Sequence, residues 1–255
     1  MILAVDIGNS NIVIGGVEGN EILFEARLRT DATKTSDEYC IDVKMILEVY
    51  EVNKAAVEGA IISSVVPQVL NSIKTALKKL CGVEPLVVGP GLKTGLNIQV
   101  DVPSQVGSDR IVIAVAALAE YKAPLILMDM GTATTIEVVE PDNRYVGGII
   151  FPGVRVSLEA LTSRAAQLPG ISLDKPQQVI GKNTIDCMRS GMMYGTAAML
   201  DGLIERIEEE LGHKATIVAT GGLARFITPL CKREIILERD LLLKGLNIIY
   251  KKNKK

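Results

Sequence analysis

The chain opens on an apolar run, Met1 to Val5, closed by Asp6, and after Gly8-Asn9-Ser10 apolar and β-branched residues resume over Asn11 to Val17. Two such segments joined through Gly, Asn and Ser predict a strand, a tight turn and a second strand. That hairpin start is unlike the strand-to-helix start of a dinucleotide-binding fold. Residues 22–30 (ILFEARLRT) predict a third strand, and Ser36-Asp37-Glu38 opens a helix to about Tyr50. A buried strand is expected over 59–63, and Pro67 suits the first turn of a helix to about Leu80. "PLVVG" adds a strand, while the turn-rich stretch from Gly89 to Asp109 reads as a connecting or functional excursion before a helix over Arg110–Tyr121.

The pattern then starts again. "APLILMDMGTATTIEVVE" is an apolar strand ending in Asp129, a turn of Gly and small hydroxyl residues, and a second β-branched strand. Asp6-Ile7-Gly8-Asn9-Ser10-Asn11 and Asp129-Met130-Gly131-Thr132-Ala133-Thr134 therefore stand in corresponding places, which points to a duplicated fold. "YVGGIIFPG" continues the sheet, residues 153–166 fit a helix, and 183–212 fit two helical segments or one bent helix. A strand, "ATIVAT", then meets Gly221-Gly222 and a helix start.

Composition narrows the chemistry. With 255 residues and 48% hydrophobic content the chain can build one large domain or two modest ones, and disorder is excluded. A junction near residue 115 divides it into 1–115 and 116–255. There is one histidine, His213, placed just after the helix-ending Gly212 as a solvated residue, so general-base triads and most zinc sites are disfavoured. Cys40, Cys81, Cys187 and Cys231 form no CxxC pair and read as reduced thiols. A net charge of -2 gives no general nucleic-acid surface, and the basic end "KKNKK" reads as a frayed solvated tail. The apolar run Ile111–Ala119 falls short of the roughly 20 residues of a membrane helix, so a cytoplasmic protein with no membrane partner is expected.

An acid at a strand end beside "GNSN" has a use: glycine lets backbone amides approach anionic oxygens, and Asp6 can orient a hydrated cation. The same residues also make an ordinary hairpin turn. "MDMGTATT" repeats the arrangement with Asp129 and hydroxyls at Thr132, Thr134 and Thr135, and Thr220-Gly221-Gly222 could lay backbone against a planar base or simply enter a helix. "GPGLKTG" and "PQQVIGKNT" both lack the Walker A ending. In "VGSDR", Asp109 can accept a proton from a substrate hydroxyl and Arg110 can orient an anion; a helix cap and a surface partner remain the plainer alternatives.

Together, "DIGNSNIVIG" from Asp6, "GLNIQVDVPSQVGSDR" ending at Arg110, "MDMGTATTIEV" around Asp129, "GGIIFPG", "IGKNT" ending at Thr184 and "ATGGLA" ending at Ala224 make nearly the whole chain resemble the type III pantothenate kinases. These lie within the acetate and sugar kinase and actin-like ATPase superfamily. The resemblance implies an α/β fold of two tandem related ribonuclease H-like (actin-like ATPase) domains, each with a mixed five-stranded sheet and flanking helices, around a nucleotide cleft. The first domain would carry the first phosphate motif and the substrate loop, the second the second phosphate motif and the adenosine motif.

The implied reaction is transfer of the ATP γ-phosphoryl group to the primary hydroxyl of pantothenate, the first step of coenzyme A synthesis. Asp6, Ile7, Gly8, Asn9, Ser10, Asn11, Ile12 and Val13 would bind ATP phosphates, Thr132 would bind ATP, and Gly221 and Gly222 would lie near the adenosine. Gly107, Ser108, Asp109, Arg110 and Thr184 would contact pantothenate, with Asp109 as proton acceptor, and Asp129 would bind a monovalent cation, K⁺ or NH₄⁺, beside the Mg²⁺ that accompanies ATP. Members are homodimers with the substrate site near the interface. Three departures stand out: "GNSN" for "GNTN", "GSDR" for "GADR", and Asp101-Val102-Pro103 for Asp-Asn-Pro, the last removing a polar side chain near the substrate loop. An ATP-binding regulator with little catalysis and a kinase for another small alcohol are the competing functions.

Overall fold

The computed structural model describes residues 1–254. In chain order the elements are β1 (Ile2–Ile7), β2 (Asn11–Glu18), β3 (Glu21–Arg29), α1 (Ser36–Val49), β4 (Gly59–Ser64), α2 (Pro67–Cys81), β5 (Leu86–Val87), β6 (Asn97–Ile98) and α3 (Ser108–Glu120). They continue as β7 (Leu125–Met130), β8 (Ala133–Glu140), β9 (Arg144–Pro152), α4 (Val154–Arg164), α5 (Thr184–Leu211), β10 (Thr216–Thr220), α6 (Ala224–Ile227), β11 (Ile236–Leu237) and α7 (Leu241–Asn253). Local chemistry accounts for the helix ends. Thr35 and Glu38 form a capping box on α1, Pro67 occupies the first turn of α2, and Gly82 and Gly212 close α2 and α5 in the left-handed conformation. Residues 184–211 form one 28-residue helix.

Two mixed sheets result, one ordered β3-β2-β1-β4-β5 and the other β11-β10-β7-β8-β9-β6. The second, read backwards from β9 to β11, repeats the first strand for strand. Asp6 lies opposite Val13 on β2 and Ser63 on β4, and Asp129 lies opposite Thr135 on β8 and Thr220 on β10. Even the irregularities agree: register slips between Gly16 and Val17 in one sheet and between Val138 and Val139 in the other. Five strands were expected in each sheet. The second has six, because Asn97 and Ile98 pair in parallel with Arg144 and Tyr145 as a two-residue edge strand.

The chain packs as two compact units, residues 1–96 with 101–120 and the described residues from 240 on, and residues 97–100 with 121–239. This differs from a division at residue 115, which falls inside α3. Packing gives the reason: Val112 and Val115 of α3 and Leu243, Leu246 and Ile249 of α7 share one buried cluster with Ile2, Ala4 and Ile61 of the first sheet. The last helix thus returns to the first unit. Its basic end is not a frayed tail through Asn253. Lys251 donates to Gly19 O and to Asn20 Oδ1, Lys252 Nζ donates to Thr94 O at 2.8 Å, and Asn253 exchanges two 2.9 Å bonds with the Lys93 backbone. The other face of the first sheet buries Leu3, Val5, Ile7, Ile12 and Ile62 against α1 and α2, whereas Ile126, Met128, Ile136 and Ile217 of the second sheet pack on α5 and α6.

Candidate active site

In the first unit, alternation along β1 puts Leu3, Val5 and Ile7 on the α1–α2 face and leaves Asp6, 7% exposed, on the α3 face with Ile2 and Ala4. Its neighbour in register, Ser63, is fully buried on β4. Ser63 Oγ lies 3.0 Å from Ser108 Oγ at the start of α3, and the Ser108 oxygen also accepts from Ser64 N–H (3.0 Å) and donates to Ser64 O (3.1 Å). The cause is in the sheet. β5 pairs with β4 only through Ile61 and Ile62, so past that point the backbone of Ser64 needs another partner, and a side-chain hydroxyl supplies it. The start of α3, with Asp109 in its first turn, is thereby fastened one strand away from Asp6.

Asp109 folds back so that Oδ1 accepts the Arg110 N–H at 2.8 Å. Gly107 makes this possible, because a Cβ there would stand 2.4 Å from that oxygen. Asp109 and Arg110 are half-buried at the surface of this unit. Of the first hairpin, Asn9, Ser10 and Asn11 are exposed, while Ile7 and Ile12 are core side chains that can offer a ligand only their backbone. Val102, 45% exposed, takes the N-cap position of the 3₁₀ turn Pro103–Gln105 and makes no side-chain cap; the asparagine expected there is a capping residue.

In the second unit three glycine motifs converge. Gly221 has φ +95°, and a Cβ there would stand 2.5 Å from Asp129 Oδ1 and 2.6 Å from Met130 N, so the β10 turn lies directly against the end of β7. Gly153, after β9, is pressed equally closely on the hairpin loop at Gly131 and Thr132. Gly222 is open to solvent, with nothing where a Cβ would go. Thr184, exposed, begins α5, whose cap Asn183 accepts from Asp186 N–H at 2.9 Å. The loop before it is tied to the same helix: Arg189 donates to Ser172 O and Oγ at 3.3 and 3.2 Å, and Ser190 Oγ donates to Val179 O at 2.5 Å. His213 takes no part; it lies 3.3 Å from Glu140 at the opposite end of β8 from Asp129.

A family profile for type III pantothenate kinases matches residues 2–206. The chain belongs to the type III pantothenate kinases. A protein of that name from an Exiguobacterium species is 48% identical over 255 residues, covering 100% of both chains. Among solved structures, a Campylobacter jejuni protein assigned to the Baf family of transcriptional activators is 19% identical, with a TM-score of 0.60 over 99% of this chain and 98% of that one. A Sinorhizobium meliloti protein assigned as a 2-dehydro-3-deoxygalactonokinase is 14% identical, with the same TM-score over 100% and 97%. These two likenesses establish the shared α/β fold, here with the duplicated frame of this pantothenate kinase family member.

Within that family frame the first unit brings together Asp6, the 8–11 loop, Gly107, Ser108, Asp109 and Arg110, and the second brings together Asp129, Thr132, Gly221 and Gly222; Thr184 begins α5 elsewhere in the second unit's sequence. Sequence reasoning missed Ser63, Ser64 and Gly153. The signal at Ser63-Ser64, two hydroxyls ending an apolar strand, was present, but its partner is contributed by Ser108, 44 and 45 residues away. Ser108 is expected to contact pantothenate; its hydroxyl is engaged at the end of β4, which leaves its main chain for such a contact.

Proposed function

We propose that this protein transfers the γ-phosphoryl group of ATP to the primary hydroxyl of pantothenate, giving 4′-phosphopantothenate and ADP in the first step of coenzyme A biosynthesis. The observation that carries this reading is full-length similarity to a type III pantothenate kinase, 48% over 255 residues. The geometry supports it, since the helix start that carries the half-buried Asp109 is fastened to β4, the strand next to the one that bears Asp6.

In the proposed reaction the pantothenate hydroxyl oxygen forms a bond to Pγ as the bond from Pγ to the β-γ bridging oxygen breaks. The hydroxyl proton passes to the Asp109 carboxylate, and ADP leaves. The Asn9 and Asn11 amides and the Thr132 hydroxyl donate to phosphate oxygens, and backbone at Gly221 and Gly222 receives the adenosine. Arg110 pairs with the pantothenate carboxylate, Thr184 donates to the same substrate, and Gly107 and Ser108 contribute main chain. Positioning supplies most of the acceleration, and no covalent enzyme intermediate is needed.

Among the described residues no three His, Cys, Asp or Glu side chains group into a metal cage. Asp6, at the end of β1, would be the carboxylate beside the Mg²⁺ that accompanies ATP, and Asp129, at the end of β7, would hold a monovalent cation, K⁺ or NH₄⁺; both ions would neutralise phosphate charge. A homodimer with the substrate site near its interface is part of the same reading. Val179, Ile180 and Ile185, at 65%, 80% and 44% exposure beside Thr184, are apolar surface that a second copy would cover. No helix among the described residues is long and apolar enough to cross a membrane, which suits a cytoplasmic enzyme. An ADP-release assay with ATP, with and without pantothenate, tests the function: pantothenate-dependent ADP is expected, and ADP release indifferent to pantothenate refutes it.

A further inference from the structure

The carbonyls of the first hairpin loop are clamped by a residue outside it. Thr30, just after β3, donates its N–H to Ser10 O at 3.1 Å and its Oγ1–H to Gly8 O at 2.7 Å. Thr30 is itself held through its neighbour. The hydroxyl of Tyr39, fully buried on α1, accepts from Asp31 N–H at 3.0 Å and donates to Asp31 O at 2.8 Å. In a planar trans peptide the carbonyl and the following N–H point opposite ways. Tying Gly8 O and Ser10 O towards Thr30 therefore aims the amides of Asn9 and Asn11 away from it, which is the arrangement an anion-binding loop requires.

The second hairpin is an internal comparison. Asn11 lies opposite Arg29 and Ala133 opposite Pro152, so Gly153 corresponds to Thr30, Thr132 to Ser10 and Gly131 to Gly8. The main-chain bond recurs, with Gly153 N–H donating to Thr132 O at 3.0 Å. The side-chain bond does not, for a Cβ at 153 would stand 2.3 Å from Gly131 O and 2.6 Å from Thr132 O. The duplicated frame thus carries one bond in both halves, and the first hairpin alone adds a hydroxyl clamp.

We propose that Thr30 is a positioning residue for nucleotide phosphate, holding the 8–11 loop with its amides presented. The inference rests on reading that loop as the ATP phosphate site. Calorimetric titration of the whole protein with MgATP tests it in Thr30→Val, which keeps the β-branched shape without the hydroxyl, and in Thr30→Ser, which restores it. Thr30→Val should weaken MgATP about 10-fold, with KM for pantothenate within about twofold of wild type, and Thr30→Ser should bind within about twofold of wild type. Hydrogen exchange at Asn9 and Asn11 should quicken in Thr30→Val while core strands stay protected. If Thr30→Val does not fold, Thr30→Ala makes the same comparison. Wild-type MgATP affinity in the hydroxyl-free variant, or equal weakening in Thr30→Ser, overturns the clamp; a wild-type protein that binds no MgATP overturns the phosphate site itself.

Discussion

Glu208 closes the last turn of α5 on three partners, and replacing it by Gln measures what that closure contributes. Its side chain is 3% exposed, and its carboxylate receives Arg233 through two bonds at 2.6 and 2.7 Å, Lys214 at 2.7 Å and the Ala215 N–H at 3.2 Å. The Arg233 hydrogen bonds, reinforced by Lys214 and the Ala215 amide against the cost of burial, hold its pKa down at about 2 from an ordinary 4.5. A carboxylate depressed on folding stabilises the fold above its unfolded pKa, and that contribution is lost as pH falls through about 2. The shift corresponds to about 3 kcal/mol at pH 7, and to about 1 kcal/mol at pH 3, where the folded group is still mostly ionised but the unfolded one is protonated. Glu208→Gln mimics the protonated state and removes the carboxylate to which the Arg233 guanidinium is bonded. Urea unfolding should show the variant about 3 kcal/mol less stable at pH 7, with the gap narrowing to about 1 kcal/mol at pH 3. A gap below about 1 kcal/mol at pH 7, or one that does not narrow in acid, refutes this reasoning.

Two further outcomes follow from the second unit. Gly221→Ala places a methyl 2.5 Å from Asp129 Oδ1 at φ +95°, so it should destabilise the unit by about 2 kcal/mol and weaken MgATP more than about 10-fold; titration with unchanged affinity would place the adenosine elsewhere. Replacing K⁺ by Na⁺ at constant ionic strength should lower wild-type turnover but leave Asp129→Asn, already slow, insensitive to the exchange. Equal wild-type rates in both salts would remove the monovalent site.

Much of the frame was legible because apolar runs and turn residues mark it. The hairpin at Asp6, its repeat at Asp129, the strand-end glycines at 221–222 and the helix opening at Pro67 all coincide with observed elements. What escaped has physical reasons. β6 is a two-residue strand, too short to show a period, and α7 ends in lysines whose anchors lie on loops at 19–20 and 93–94. Ile7 and Ile12 sit in a phosphate-like motif, yet strand alternation sends their side chains into the core. Thr30 was hidden because its role depends on carbonyls 20 and 22 residues earlier, and Gly153 because its reason is a close approach rather than a turn. Such long-range partners leave no local pattern.

The central claim, that Asp109 on this scaffold takes the proton of a pantothenate hydroxyl during phosphoryl transfer, is tested most directly by mass-spectrometric detection of the product. Wild-type protein given ATP, Mg²⁺, K⁺ and pantothenate should form 4′-phosphopantothenate in step with ADP. Asp109→Asn should fall at least about 100-fold in that rate while binding MgATP as before. Product formed by Asp109→Asn at the wild-type rate, or no phosphopantothenate from the wild type, contradicts the account.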